Sequence, residues 1–402
     1  MPRKIPAPPR NPFEIGLLAR DAHFADREKE VDRIVRALRE PGSRLVVFGD
    51  RRLGKSSALD RAAALARKAG YRVAVASFAT ATGPADAAQQ LLNAVRQEIG
   101  KQWRETVERI AERLQATMEL RPGSAPGSPP TVRFGFGMRE GGDERPRLLW
   151  EVLDAVNAQL EGQNITLGIA IDEFQRIHEW GGEDAEWALK AAMETHRSLT
   201  YVLAGSKRHL IEAMLTSKGR ALWKQVDHLH FGPISGDVLA EWITSRAART
   251  GLKIPLTVAD RVVSLAYPRT RDVVQLARVV WDASVQTGTA EEGAAEAALD
   301  RLVREQGALY DSLWRTLQTV DQRILRALAA EPGLPITRAE TMSRFRLGAK
   351  STVSSALSRL VEREVIARSE AGSYTFDDPF FRRWVELNAL ADLGLPPPRS
   401  PT

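Results

Sequence analysis

The sequence predicts an α/β domain, a parallel sheet sandwiched by helices, continued by a small all-helical domain and a C-terminal module of helices and a hairpin. Three observations carry this. Across residues 44–235, short and nearly continuous apolar runs ("RLVVF", "RVAVASF", "TLGIAI", "TYVLAG", "HLHFG") alternate with helical stretches such as Ser56–Ala69 and Asp184–Arg197. That is the pattern of parallel strands covered on both faces. Residues 236–315 show helical periodicity alone, and residues 316–388 give three helical stretches followed by two short strands around Gly372.

At 402 residues the chain exceeds one ordinary domain. It has no cysteine, which excludes disulfides, thiolate metal sites and thiol nucleophiles. The opening "MPRKIPAPPRNPF" has no apolar core of signal-peptide length, and no apolar run is long enough to cross a bilayer. A cytoplasmic location without a membrane partner is therefore expected. The net charge of +6 fits either a solvated surface or a polyanionic partner.

Taken in order, residues 1–43 are a proline-rich arm and a helix, "DREKEVDRIVRALRE", with Val31, Ile34, Val35 and Leu38 at helical spacing and Pro41 and Gly42 as its stop. Next comes "FGDRRLGKSSAL", Phe48–Leu59, between the strand "RLVVF" and the helix "KSSALDRAAALARKAG". It fits G-x-x-x-x-G-K-[ST], the P-loop or Walker A motif. A chance glycine turn is the plain alternative, and the strand before and helix after argue against it. The cradle comprises Gly49, Asp50, Arg51, Arg52, Leu53 and Gly54, then Lys55, Ser56 and Ser57. Free N–H groups and the helix dipole favour phosphate there. Gly49 and Gly54 are expected to let the backbone approach the phosphates. Lys55 is expected to reach the β- and γ-phosphates, and Ser56 to ligate Mg²⁺.

Arg121–Arg147, rich in proline, glycine and charge, reads as a flexible surface insertion in preference to an ordered lid. "TLGIAIDEFQ" then ends a strand in two acids. Asp172 suits the Walker B role at the Mg²⁺ ion, and Glu173 that of general base. Ser206, in "TYVLAGSKRHL", either senses the γ-phosphate or caps the next helix.

In order and spacing, "NPFEIG" with "FADREKE", "GDRRLGKSS", "IDEFQRI", "LAGSKRHL", "FGPIS" and "YTFDDPFFRRW" resemble the archaeal-type ATPase family of the AAA+/STAND group of P-loop NTPases, over nearly the whole chain. The resemblance implies an ASCE-type sheet, with an extra strand between the Walker A and Walker B strands. It implies that Asn11, Pro12, Phe13 and Arg27 lie near the base or ribose, although Phe13 and Phe24 equally suit a core. "AYPRTRDVVQLARVVW" resembles the family's sensor-2 segment, from which Arg269 or Arg271 would reach the nucleotide; solvated helix-start arginines are the alternative. The chain departs from the family at "ALWKQ", where Lys224 stands near a usual arginine. Lysine lacks the bidentate fork. Arg220 is the other candidate, so an arginine finger acting in trans, and fast turnover with it, are in doubt.

Residues 316–388 have the winged helix-turn-helix order. In the third helix, Val353, Ala356, Leu357, Leu360 and Val361 form an inward stripe, while Lys350, Ser351, Thr352, Ser354, Ser355 and Arg359 suit phosphates and base edges. Residues 319–384 carry eleven Lys and Arg against eight Asp and Glu, a balance of +3. That is mild for DNA, so contact with a protein or with another domain is the alternative. Phe380, Phe381 and Trp384 read as core, with Arg382 and Arg383 as its wet rim. Residues 389–402 read as a disordered tail.

The leading expectation is a slow ATPase with ATP/ADP and Mg²⁺ as ligands, bound between the sheet and helical domains, whose nucleotide state controls DNA binding by the winged helix. A STAND-type signalling switch with a protein partner is the second. A nucleotide-stabilised DNA-binding protein with negligible turnover is the third.

Overall fold

The apolar runs become strands where they were expected. The computed structural model describes residues 10–16, 24–99, 108–112, 116–121, 131–136, 148–369 and 372–390. Its strands are β1 (Arg44–Phe48), β2 (Arg72–Ser77), β3 (Ala116–Arg121), β4 (Thr131–Phe136), β5 (Leu167–Asp172), β6 (Leu199–Gly205), β7 (Asp227–His230), β8 (Ile366–Arg368) and β9 (Tyr374–Phe376). The chain divides into two units, Gly16–Ile234 and Met1–Ile15 with Ser235–Thr402.

In the first unit, β1, β2, β5, β6 and β7 form one parallel sheet in the order β2-β5-β6-β1-β7. β6 lies between β1 and β5, so the strand that leads into the glycine loop and the strand ending in Asp172 are separated by an additional one. Side chains alternate across the sheet with a period of two. Leu45 and Val47 of β1, with Val202 and Ala204 of β6, pack in one layer with the helices Glu28–Arg39 and Lys55–Lys68. Val46 and Phe48, with Tyr201 and Leu203, pack in the other with the helices Pro84–Ile99, Leu148–Glu161 and Arg176–Thr195. Burial on both faces explains why β1, β5 and β6 read as continuous apolar runs, while the edge strand β7 is largely exposed. In the helix Glu28–Arg39, Val31, Ile34 and Leu38 are buried and Val35 half-buried.

Two expectations change. The helix read from Asp184 begins at Arg176 and is interrupted at Gly182, at φ 57° and ψ −145°, so the periodicity restarts after the kink. The stretch 121–147 is more than a flexible insertion: β4 pairs antiparallel with β3, from Ala116↔Phe136 to Arg121↔Thr131. The segment "TVRFGF" supplies β-formers, and its proline and glycine flanks masked it. Residues 122–130 and 137–147 lie outside the described residues.

The second unit holds the helices Gly236–Ala248, Leu256–Ala266, Thr270–Ser284, Ala294–Glu305 and Gly307–Arg315, then Thr319–Ala330, Ala339–Arg344, Lys350–Glu362, the antiparallel β8–β9 hairpin and Pro379–Asn388. The final helix is capped by Asp378, which accepts from the Phe380 and Phe381 amides at 2.8 and 3.2 Å. The expected boundary at 316 is not a packing boundary. Tyr310 lies 5.4 Å from Phe381 and Trp314 lies 5.8 Å from Trp384, ring centre to ring centre. Residues 10–15 fall in this unit and not with the sheet. Ala389 and Leu390, assigned to the tail, are buried; residues 391–402 lie outside the described residues. Among the described residues no helix is long and apolar enough to cross a membrane.

Candidate functional site

The first unit builds its site where β1, β5 and β6 end. Leaving β1, the backbone passes through two left-handed residues, Arg52 at φ 65° and Gly54 at φ 99°, before the helix starts at Lys55. As the N-cap, Gly54 has no side chain with which to cap the first turn of its own helix. At Gly49 the structure shows a packing constraint. A Cβ there would collide with the Phe231 carbonyl oxygen, so its absence lets the loop lie against the chain that follows β7.

Lys55 is 5 % exposed, and its Nζ donates to the carbonyls of Gly49 at 2.8 Å and Asp50 at 2.6 Å. Burial lowers its pKa to about 8 against the partial compensation of Glu173, Asp172 and Asp50. It is a desolvated ammonium with a strong appetite for anionic oxygen.

At the end of β5 the Ser56 hydroxyl donates to Asp172 Oδ2 at 2.5 Å. Burial pushes the Asp172 carboxyl up, while Ser56 and Lys55 pull it back. The chain then turns sharply: Glu173 stands at φ 55°, its amide donating to Asp172 Oδ1 at 3.0 Å. Strained backbone of this kind concentrates at working sites. Of the two roles open to Ser206, capping is not seen: the next helix, Arg208–Thr216, starts from Lys207 without a side-chain cap. The Ser206 hydroxyl instead donates to Glu173 Oε2 at 2.8 Å and accepts from Arg51 Nε at 3.3 Å. Gln175, to which the sequence reading assigned no role, also donates to Glu173 Oε2. A strand-end position just beyond two acids was the only hint.

Most of the other expected residues have partners of their own. Arg27 is buried in the sheet unit, its guanidinium 4.2 Å from the Phe231 ring centre and donating to the Gly232 carbonyl at 2.5 Å and to Glu30 at 2.8 Å. Asn11, Pro12 and Phe13 belong to the second unit. Asn11 donates to Asp282 at 2.7 Å, the Pro12 carbonyl accepts from Arg246 at 3.3 Å, and Phe13 is buried edge-on to Trp242. Arg269 is buried and paired with Asp377, while Arg271 is exposed. Arg220 donates Nε to the buried Glu186 at 2.9 Å, and Lys224 lies 5.0 Å from the Trp223 ring centre.

In the C-terminal module the helix Lys350–Glu362 buries Val353, Ala356, Leu357 and Leu360, and Val361 is half-buried. It exposes Lys350, Ser351, Thr352, Ser354 and Ser355, and also Ser358, which extends the same face. Arg359 does not join them. It makes a two-pronged pair with the fully buried Asp321, at 3.2 and 2.5 Å. Phe380, Phe381 and Trp384 are core as expected. Arg383 pairs with Asp300 at 2.9 Å and Arg382 with Glu386 at 2.9 Å.

A glycine loop between strand and helix, a buried lysine, a serine bonded to a strand-end aspartate and one strand between the two motif strands define a P-loop NTPase fold of the ASCE class. Comparison with solved structures agrees. A Walker-type ATPase of Pyrococcus abyssi is similar at 18 % identity and a TM-score of 0.60, over 93 % of this chain and 99 % of that one. The Aeropyrum pernix ORC2 protein, in ADPNP–ADP complexes, is similar at 13 % identity and a TM-score of 0.55, over 96 % and 99 %. A family model described as "Probable winged helix domain" matches residues 308–387, reaching back to the helix that bears Tyr310 and Trp314. No curated protein sequence matches the chain.

Proposed function

We propose that this protein hydrolyses ATP slowly to ADP and phosphate, and that its nucleotide state governs a winged helix that binds DNA. The observation that carries the reading is the meeting of Lys55, Ser56, Asp172, Glu173 and Ser206 at one end of the sheet. The loop from Gly49 to Ser57 holds the phosphates on its N–H groups. Lys55 exchanges its two carbonyl partners for phosphate oxygens, which restores the charge that burial opposes. Ser56 and Asp172 bring two hard oxygen donors together, a set suited to Mg²⁺. When bound, that ion neutralises charge on the phosphate oxygens. Glu173 accepts a proton from water as the water oxygen bonds to the γ-phosphorus. The bond from phosphorus to the β–γ bridging oxygen breaks, and ADP leaves with the electron pair. The similar ORC2 protein binds ADPNP and ADP, which supports adenine nucleotides as the ligands. The pairing of Arg220 with Glu186 supports slow turnover, since that guanidinium is engaged within its own chain.

A phosphate-release assay with and without DNA tests the reading. Glu173→Gln is expected to keep ATP bound and stop release; unchanged turnover would remove Glu173 from the mechanism.

The hydroxyls of the helix Lys350–Glu362 and its Lys350 suit DNA phosphates and base edges. The pairing of Arg359 with Asp321 favours a second reading, in which this face meets a protein. A steep loss of DNA affinity with added salt supports the first, and no binding at low salt supports the second.

A further inference from the structure

The Glu173 carboxylate is held from two sides. Gln175 is 1 % exposed and donates Nε2 to Glu173 Oε2, the same oxygen that accepts from Ser206 at 2.8 Å. The other amide atom of Gln175, Oε1, is buried with no hydrogen-bond partner among the described residues. An unpaired buried oxygen is costly, and an apolar side chain of similar size would avoid the cost. Stability therefore does not account for an amide here. The neighbouring backbone is shaped around it. A Cβ on Gly205, the last residue of β6, would collide with Gln175 Oε1 and with Ile211. The glycine directly before Ser206 thus makes room for the amide.

The backbone of Glu173 is in the left-handed region, which a non-glycine residue keeps only when its surroundings hold it there. Both donors take Oε2, and Oε1 accepts no hydrogen bond from the described residues. One carboxylate oxygen is anchored and the other is presented.

We propose that Gln175 is a positioning residue for the ATPase reaction: it anchors one oxygen of Glu173 so that the other receives the proton of the attacking water. This rests on the ATPase reading above. A misplacement of about 1 Å at a reacting group lowers turnover by as much as about 100-fold.

The test uses the full chain with Mg-ATP and the variants Gln175→Leu, Gln175→Glu and Gly205→Ala. In each, kcat is expected to fall about 10- to 100-fold while the Kd for ATP stays within about twofold. Gln175→Leu is expected to melt no lower than the parent, because it removes the unpaired oxygen. A packing role gives the opposite: a lower melting temperature and preserved kcat in Gln175→Leu. That result, or turnover retained in Gln175→Glu should the leucine variant fail to fold, overturns the proposal. A parent protein without turnover refutes the ATPase reading instead. Crystal structures of the parent and of a Gln175 variant then decide the positioning claim. A Glu173 carboxylate that leaves Ser206 in the variant supports it, and one that stays in place overturns it.

Discussion

Raising the pH from about 7 to about 9 should weaken ATP binding about tenfold, through the amine of Lys55. The amine is 5 % exposed and its pKa is lowered from 10.5 to about 8, with burial the leading cause. Phosphates seated against it are expected to raise that value back toward the ordinary 10.5. Below about pH 8 the amine is protonated with and without nucleotide, so affinity is flat. Above it, binding requires proton uptake, and each further unit costs about a factor of ten until about pH 10.5. The whole span is about 3 kcal/mol. In the unliganded protein the same shift has the opposite sense: the unfolded chain holds the proton more tightly, so stability rises between about pH 8 and 10.5. Isothermal titration calorimetry in buffers of different ionisation enthalpy reads both affinity and proton uptake. Uptake should be near zero at about pH 7 and close to about one proton at about pH 9. Lys55→Met should bind weakly and lose the slope. Equal affinity at the two pH values, or the same slope in Lys55→Met, would refute the reasoning.

Three further outcomes are expected. Arg220→Ala leaves the fully buried Glu186 with His178 as its remaining partner among the described residues, and should cost about 3–5 kcal/mol in urea unfolding while turnover per folded molecule is kept. Lost turnover at unchanged stability would make Arg220 a finger instead. Gly49→Ala drives a Cβ into the Phe231 carbonyl, and should lower stability by about 1–3 kcal/mol by thermal melting and loosen nucleotide binding with it. Asp321→Ala removes the capping box at Gln318 and the partner of Arg359, and should cost about 2–4 kcal/mol, followed by tryptophan fluorescence from Trp314 and Trp384.

Lys55, Ser56, Asp172 and Glu173 could be found in the sequence because their chemistry requires neighbours in the chain. A phosphate loop must join a strand to a helix, and a strand-end acid must follow an apolar run. The sheet strands and the winged-helix core were legible for a related reason: periodicity records which side of an element is buried. It does not record what lies opposite. The strand β4, short and flanked by proline and glycine, stayed below that signal.

From the residues alone came the motifs, the strand and helix types and the inward faces, all properties of short contiguous segments. Only the tertiary structure decided that Ser206 and Gln175 share one oxygen of Glu173, that Gly49 yields to Phe231, that Arg220 and Arg359 answer buried carboxylates, and that Arg269 answers a half-buried one. Each of these joins segments distant in the chain, or depends on the turn that brings them together, and a local pattern carries no information about a partner it never touches in sequence.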